Sequence, residues 1–285
     1  KDSTMSVQLK LWQTAPPKQF LKWIGNKQRF ASQILSYAPD DFGQYIEPFI
    51  GSGAVLGTVA PDRGLAGDTH RPLVELWHML KRKPNELLKH YDSTWHRFVK
   101  HPREVYEDVK ASYNSKANAR DLLFLCRSCY GGVVRFRRDG YMSTPVGPHR
   151  PISPDSLNER MVAWRPRIKN TTFRVANFSE SMESANRGDL VYCAPPYSHS
   201  QSILYGSQTF RLSDLYESVA QCKSRGVRVM LSIVGNKKSG KFTADLNIPD
   251  GLFDREVMID CGRSMLRRFQ RAGETLEDEV VHDRL

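Results

Sequence analysis

Short apolar runs alternate along the chain with segments whose apolar residues recur at helical spacing. Tyr45-Ile46-Glu47 reads as a strand entering a glycine turn at Gly51-Ser52-Gly53, followed by a helix over Ala54–Val59. Leu65-Ala66-Gly67-Asp68 reads as a second short strand, and Leu73, Leu76, Trp77 and Leu80 predict a helix over Arg71–Leu80. Phe173–Phe178, Asp189–Tyr192 and Val227–Ile233 predict a third, fourth and fifth strand, with a helix marked by Leu215, Val219 and Cys222 before the last. Arg255–Cys261 and Glu279–His282 read as an antiparallel pair that closes the sheet. Upstream, Phe30, Ile34 and Leu35 mark a first short helix, and the first 20 residues, with Pro16-Pro17, read as a loose arm. Strands alternating with helices predict an α/β fold.

The pattern changes between about 81 and 165. Val105, Val109 and Tyr113 share one helical face, and Asp121–Cys129 is an apolar helix that stops at Tyr130-Gly131-Gly132. Val133–Tyr141 then reads as a hairpin turning at Asp139-Gly140. The expected division is a sheet domain of 20–80 and 166–285, with a mostly helical segment of 81–165 inserted into it. On the incoming arm of the hairpin, Arg135, Arg137 and Arg138 alternate with apolar and aromatic residues. Arginine reads guanine edges and phosphates while aromatics stack or wedge, which makes this the candidate DNA-reading element. A solvated surface hairpin is the plainer alternative.

Composition narrows the class. The chain has 285 residues and a formal net charge of +11, which favours a polyanionic partner. No apolar run approaches membrane-spanning length, and no signal-peptide pattern opens the sequence. Five cysteines at irregular spacing point to a reducing compartment. Cys126 and Cys129 form a C-x-x-C without a second ligand pair, so buried thiols are expected there and no metal.

Candidate chemistry sits at the ends of the strands. Gly51 and Gly53 would let backbone approach a ligand ahead of a helix amino end. Asp68 suits ribose hydroxyls, and equally suits an N-cap for the helix after it. In Asp189-Leu190-Val191-Tyr192-Cys193-Ala194-Pro195-Pro196-Tyr197, a buried strand runs into a rigid turn that holds an aromatic at its carboxyl end. Ser198–Phe210 has the length of a substrate lid. Asn236–Lys241 is a basic Gly/Lys loop, and Arg263, Arg267, Arg268 and Arg271 mark a second basic loop.

Four pieces stand in order: Lys22-Trp23-Ile24-Gly25-Asn26-Lys27, Glu47–Gly53, the insertion, and Ala194–Tyr197. Together they resemble the Dam-type (D12 class, α-group) adenine-N6 DNA methyltransferases over about residues 20–283. The resemblance implies a Rossmann-like sheet with an inserted DNA-recognition segment, double-stranded DNA as partner, and S-adenosylmethionine as donor with S-adenosylhomocysteine as product. It implies a role in bacterial or phage DNA modification, in the cytoplasm of the cell. Glu47, Phe49, Gly51 and Gly53 would border the cofactor, Asp68 would hold its ribose and Phe178 would lie against its adenine. Lys22, Trp23 and Lys27 would line the cofactor and target-base side. Tyr130 would wedge into the duplex and Arg135 would read a base, with Gly131, Val133, Arg137, Arg138, Lys237 and Lys238 completing the DNA surface. Dam members often carry Asn where Gly131 stands, so GATC need not be the recognition sequence.

One position departs from the pattern. The family's Asp-Pro-Pro-Tyr is met by Ala194-Pro195-Pro196-Tyr197, with no carboxylate at its head. The Pro195 carbonyl and the Tyr197 ring are kept. The chain is therefore expected to bind cofactor and DNA and to transfer methyl groups slowly, as a crippled Asp→Ala form. The alternatives are a catalytically dead DNA-binding module and a cytosine-N4 or RNA methyltransferase. A dinucleotide dehydrogenase is disfavoured, because the glycine turn lacks the third glycine.

Overall fold

The computed structural model describes residues 17–196, 210–237, 247–263 and 280–284. Five parallel strands form the central sheet: β1 (Tyr45–Glu47), β2 (Gly64–Asp68), β3 (Thr171–Val175), β4 (Leu190–Cys193) and β5 (Arg228–Leu231). Their order is β3-β2-β1-β4-β5, so the winding reverses between β1 and β4. Tyr45 and Ile46 lie opposite Leu190 and Val191 on one side, and Tyr45–Glu47 opposite Gly64–Ala66 on the other. β1 and β4 are buried at every position, as strands covered by helices on both faces must be.

Helices α1 (Ala31–Leu35), α2 (Ala54–Val59) and α3 (Arg71–Arg82) come early in the chain. Between β2 and β3 the chain runs through α3 and then α4 (Pro84–Lys100), α5 (Pro102–Ser115), α6 (Ala119–Ser128), a 3-10 turn at Tyr130–Gly132, and α7 (Pro154–Ile168). Asn118 caps α6 by accepting from Asp121 N (2.9 Å). α8 (Phe178–Glu183) and α9 (Leu212–Ser224) cover the other sheet face. One core joins Tyr45, Phe173, Leu190 and Tyr192 of the sheet without a break to Tyr91, Phe98, Val109 and Leu122 of the inserted helices. The second core holds Ile46, Val191, Leu215 and Val219. The alternation of Tyr45, Ile46 and Glu47 between these faces is the two-residue period of a strand.

Several sequence expectations are corrected. The run Val227–Ile233 is not one strand. It breaks at Ser232, whose amide donates to Cys193 O (2.8 Å), and Ile233–Lys237 (β6) leaves the parallel sheet. β6 joins β7 (Met258–Arg263) and β8 (Val280–Arg284) in a separate antiparallel sheet of order β6-β8-β7. The two late strands thus pair with each other as expected, and β8 pairs also with β6, in a sheet apart from the five parallel strands. Asn236 and Lys237 belong to β6 rather than to a loop. The third strand ends at Val175, and Phe178 opens α8 behind an Asn177 cap (Ser179 N to Asn177 Oδ1, 3.4 Å). Asp68 is not the N-cap of α3; His70 is.

The expected loose arm is pinned at its end. Phe20 and Leu21 are fully buried, and Phe20 packs on Trp77 and Trp164 with ring centroids 5.7 and 6.4 Å apart. Arg127 of α6 donates to Gln19 O (2.6 Å) and Phe20 O (2.5 Å), Arg160 of α7 also donates to Gln19 O, and Trp164 Nε1 donates to Lys18 O (2.9 Å). Arginine side chains that distant in sequence leave no local signal. Residues 1–16 lie outside the described residues. Cys126 and Cys129 are buried free thiols, as expected, and burial raises both thiol pKa values.

Candidate active site

A cavity of about 730 Å³ opens at the carboxyl ends of β1 and β4. This is the reversal point of the strand order, where open α/β sheets bind their ligands.

Its floor is the turn after β1. Ile50 N donates to Gly67 O (3.0 Å) and Gly53 N to Ile50 O (2.7 Å), so the turn is held to β2 and to itself. Trp77 Nε1 donates to Gly51 O (3.3 Å). Gly51 and Gly53 have φ of +45° and +65°, and a Cβ on Gly53 would lie 2.8 Å from the Trp77 ring. Glycine is required there by conformation and by space. Gly53 stands behind the turn as the N-cap of α2, and Gly51 alone of the two lines the cavity.

Two acids flank the turn. Asp68 Oδ1 accepts His70 N (2.9 Å), and the carboxylate also accepts the amides of Gly51 and Thr69. Burial pushes its pKa up to about 6 against those bonds. A carboxylate offers about four acceptor positions, so three backbone bonds leave room for a hydroxyl. Glu47 is 3% exposed. It accepts from the Tyr45 hydroxyl (2.7 Å) and the Leu56 amide, and burial pushes its pKa up to about 8.

One wall is aromatic. Phe49 stacks on Phe178 (centroids 5.5 Å, planes 24° apart), and Phe210 meets both edge-on at 5.8 Å. At the other end Trp23 and Lys27, both nearly buried, line the space with Ile24 and Gly25. A Cβ on Gly51 would come 3.2 Å from Trp23 Cδ1. The roof is the end of β4, with Ala194, Pro195 and Pro196 in the lining. Tyr197 and most of the expected lid lie outside the described residues.

The structure therefore brings together Trp23, Lys27, Glu47, Phe49, Gly51, Asp68, Phe178, Ala194, Pro195 and Pro196. It does not bring Lys22, an exposed residue whose stem packs where a Cβ on Gly132 would stand (2.6 Å). The cause is strand-like alternation in that segment: Leu21 and Trp23 turn inward and Lys22 outward.

After α6, Tyr130 is 42% exposed and Gly131 holds φ +65°. Arg135, Arg137 and Arg138 are exposed, with the Arg137 guanidinium 4.6 Å from the Tyr141 ring centroid. The hairpin closes through Arg137 N to Tyr141 O (2.9 Å) and a single bridge, Phe136 to Met142. Val133 is corrected: it is 7% exposed, turned inward beside the Thr144 hydroxyl that donates to its carbonyl (2.9 Å), and offers no surface. Lys237 stands in β6, and Lys238 lies outside the described residues. Sequence reading missed His70, Phe136 and Gly140 as cavity residues. Their only local trace is an aromatic inside a basic arm, a turn glycine, and a histidine two places after Asp68.

The sequence matches known proteins over most of its length. A family model described as D12 class N6 adenine-specific DNA methyltransferase matches residues 23–251. A DNA adenine methylase of Vibrio cholerae is 27% identical over 230 residues, covering 75% of this chain and 80% of that protein. The Type II methyltransferase M1.LlaDCHI of Lactococcus lactis is 24% identical over 249 residues, covering 81% and 86%. The Type II methyltransferase M.MjaIII of Methanocaldococcus jannaschii is 26% identical over 276 residues, covering 86% and 93%.

Proposed function

The chain belongs to the D12 class N6 adenine-specific DNA methyltransferases, and on that premise we propose that its cavity holds S-adenosylmethionine beside an adenine flipped out of duplex DNA. The observation that carries this reading is the single cavity that joins the Gly51 turn to Ala194-Pro195-Pro196. Its volume of about 730 Å³ is that of a small-molecule site. The residues fit the donor. The Gly51 turn brings bare backbone to the cavity, Asp68 keeps an acceptor position, and the Phe49–Phe178 pair offers a flat apolar wall. Segment 81–165 serves as the target-recognition unit, with Tyr130 as wedge and Arg135 as base reader, and Lys237 and Lys238 add phosphate contacts.

Bound S-adenosylmethionine supplies a sulfonium methyl open to in-line attack. Adenine N6 is a weak nucleophile, because its lone pair is delocalised into the ring. A base must leave the stack before an enzyme can reach it. Acceptors must then engage the amino hydrogens, so that the lone pair points at the methyl carbon and the rising positive charge is stabilised. The Pro195 carbonyl would be one such acceptor, and the family pattern gives the stacking role to Tyr197, which lies outside the described residues. The Ala194 side chain offers no acceptor. Positioning survives, whereas charge stabilisation is reduced. Losing one such group costs about 100- to 1000-fold in rate, or about 2.7–4 kcal/mol.

The test is methyl transfer from labelled S-adenosylmethionine to mixed-sequence duplex DNA, by this chain and by Ala194→Asp. The expected product is N6-methyladenine, formed at least about 100-fold faster by the variant. Equal rates would remove position 194 as the defect. Transfer by neither protein, with DNA still bound, would favour the binding-module reading.

A further inference from the structure

One imidazole stands between the turn that would carry the cofactor and the hairpin that would read DNA. His70 lies two residues after Asp68, and its backbone N–H donates to that carboxylate (2.9 Å). Its ring lies 4.8 Å from Phe136 of the hairpin and 5.9 Å from Trp23, centroid to centroid. His70 Nε2 and the Tyr113 hydroxyl of α5 share a hydrogen bond of 3.1 Å, and the Tyr113 ring in turn meets Phe136 at 6.2 Å. His70, Trp23 and Phe136 all line the cavity, whereas Tyr113 does not. Burial holds the imidazole neutral by pushing its pKa down to about 4, so it packs as an aromatic ring. The methyl-transfer chemistry makes no use of it.

We propose that His70 is a positioning residue that couples the two ends of the cavity, so that cofactor and DNA each raise the other's affinity. The proposal rests on the reading of this cavity as the cofactor site and of the hairpin as DNA-facing. A close-packed cluster transmits displacement because it has no slack to absorb it. A ligand that orders Asp68 and Trp23 fixes His70 between them. Fixing His70 places Phe136 and Tyr113, and so orders the hairpin before DNA arrives. The second ligand then meets less ordering cost. Such couplings amount to about 5- to 150-fold in affinity and are reciprocal.

The experiment measures the dissociation constant of S-adenosylhomocysteine for the free protein and for the protein saturated with duplex DNA. The duplex is one that the wild-type chain retains from a random-sequence pool. The wild-type ratio is expected within the range of about 5- to 150-fold. Tyr113→Phe removes only a hydroxyl outside the cavity, and should cut the ratio about two- to fivefold, the cost of about one hydrogen bond. His70→Ala should bring it close to one, and His70→Phe, which keeps a ring, should recover part of it. A wild-type ratio near one, or Tyr113→Phe and His70→Phe both keeping the full ratio, overturns the coupling while leaving the functional reading intact. A wild-type chain that binds no S-adenosylhomocysteine at all overturns the functional reading itself. If His70→Ala does not fold, Tyr113→Phe and His70→Phe decide the matter.

Discussion

The turn after β1 and the end of β4 are neighbours on one sheet and face one cavity, yet they are built on different principles. The turn is held by backbone. Ile50 N, Gly53 N, Gly51 O and the Asp68 carboxylate each carry a bond that fixes it, and no single one of them defines its shape. The end of β4 contributes its backbone through Pro195, and under the proposed mechanism its reactivity would hang on the side chain at position 194, which is a methyl group. The proposed binding geometry is thus distributed, whereas the proposed chemical competence is concentrated. On that reading a single substitution would remove turnover and leave recognition standing.

The gain expected for Ala194→Asp is the largest effect and tests the concentrated side. On the distributed side, Gly53→Ala forces a Cβ to 2.8 Å from Trp77 at φ +65°. Backbone strain and overpacking together should cost about 2–4 kcal/mol of stability, read as a lower urea midpoint. A loss under about 0.5 kcal/mol, the size of an ordinary surface change, would show that the turn has slack. Arg135→Ala should relax base preference at one position by about 1–3 kcal/mol without a matching loss on other sequences, read by competition binding. An unchanged preference would move sequence reading away from the hairpin.

A last effect, spread over pH, concerns Glu47. Its carboxyl is held near pH 8 in the fold against 4.5 as the ordinary value. The native state then binds a proton that the unfolded chain has released. The contribution of Glu47 to stability is fullest below about pH 4.5 and falls as pH rises toward 8. Asp68 adds a similar fall between 3.8 and about 6. Glu47→Gln should flatten the decline above pH 6 in urea midpoints taken from pH 5 to 8. An unchanged slope would place the titration elsewhere.

Legibility in the sequence followed the same division. The glycine turn, Asp68 and the proline stop of β4 are local patterns, and the structure brings all three to one cavity. β1 and β4 declared themselves as short runs buried on both faces, as central parallel strands are. The break at Ser232 did not, since Val227–Ile233 is uniformly strand-forming and only long-range pairing with β8 tells β5 from β6. Phe178 reads as strand by composition, yet the Asn177 cap makes it helix. Lys22 and Val133 were assigned by their place in the family pattern, but the exposure of each depends on which way the chain turns it. His70 and Phe136 were invisible because their meaning is a contact between segments 66 residues apart in sequence.

The grip of Arg127 and Arg160 on the carbonyls of Gln19 and Phe20 bears on where the folding unit begins. Family similarity starts at residue 23, but the fold starts several residues earlier. A fragment trimmed to the edge of similarity would strip Phe20 and Leu21 from the core and leave the Arg127 guanidinium, 5% exposed, with no carbonyl to satisfy. That arginine lies in the last turn of the helix leading to the Tyr130 turn, so the damage would reach that turn as well. Evolutionary boundary and mechanical boundary are different lines on this chain, and the outer one governs any attempt to shorten it.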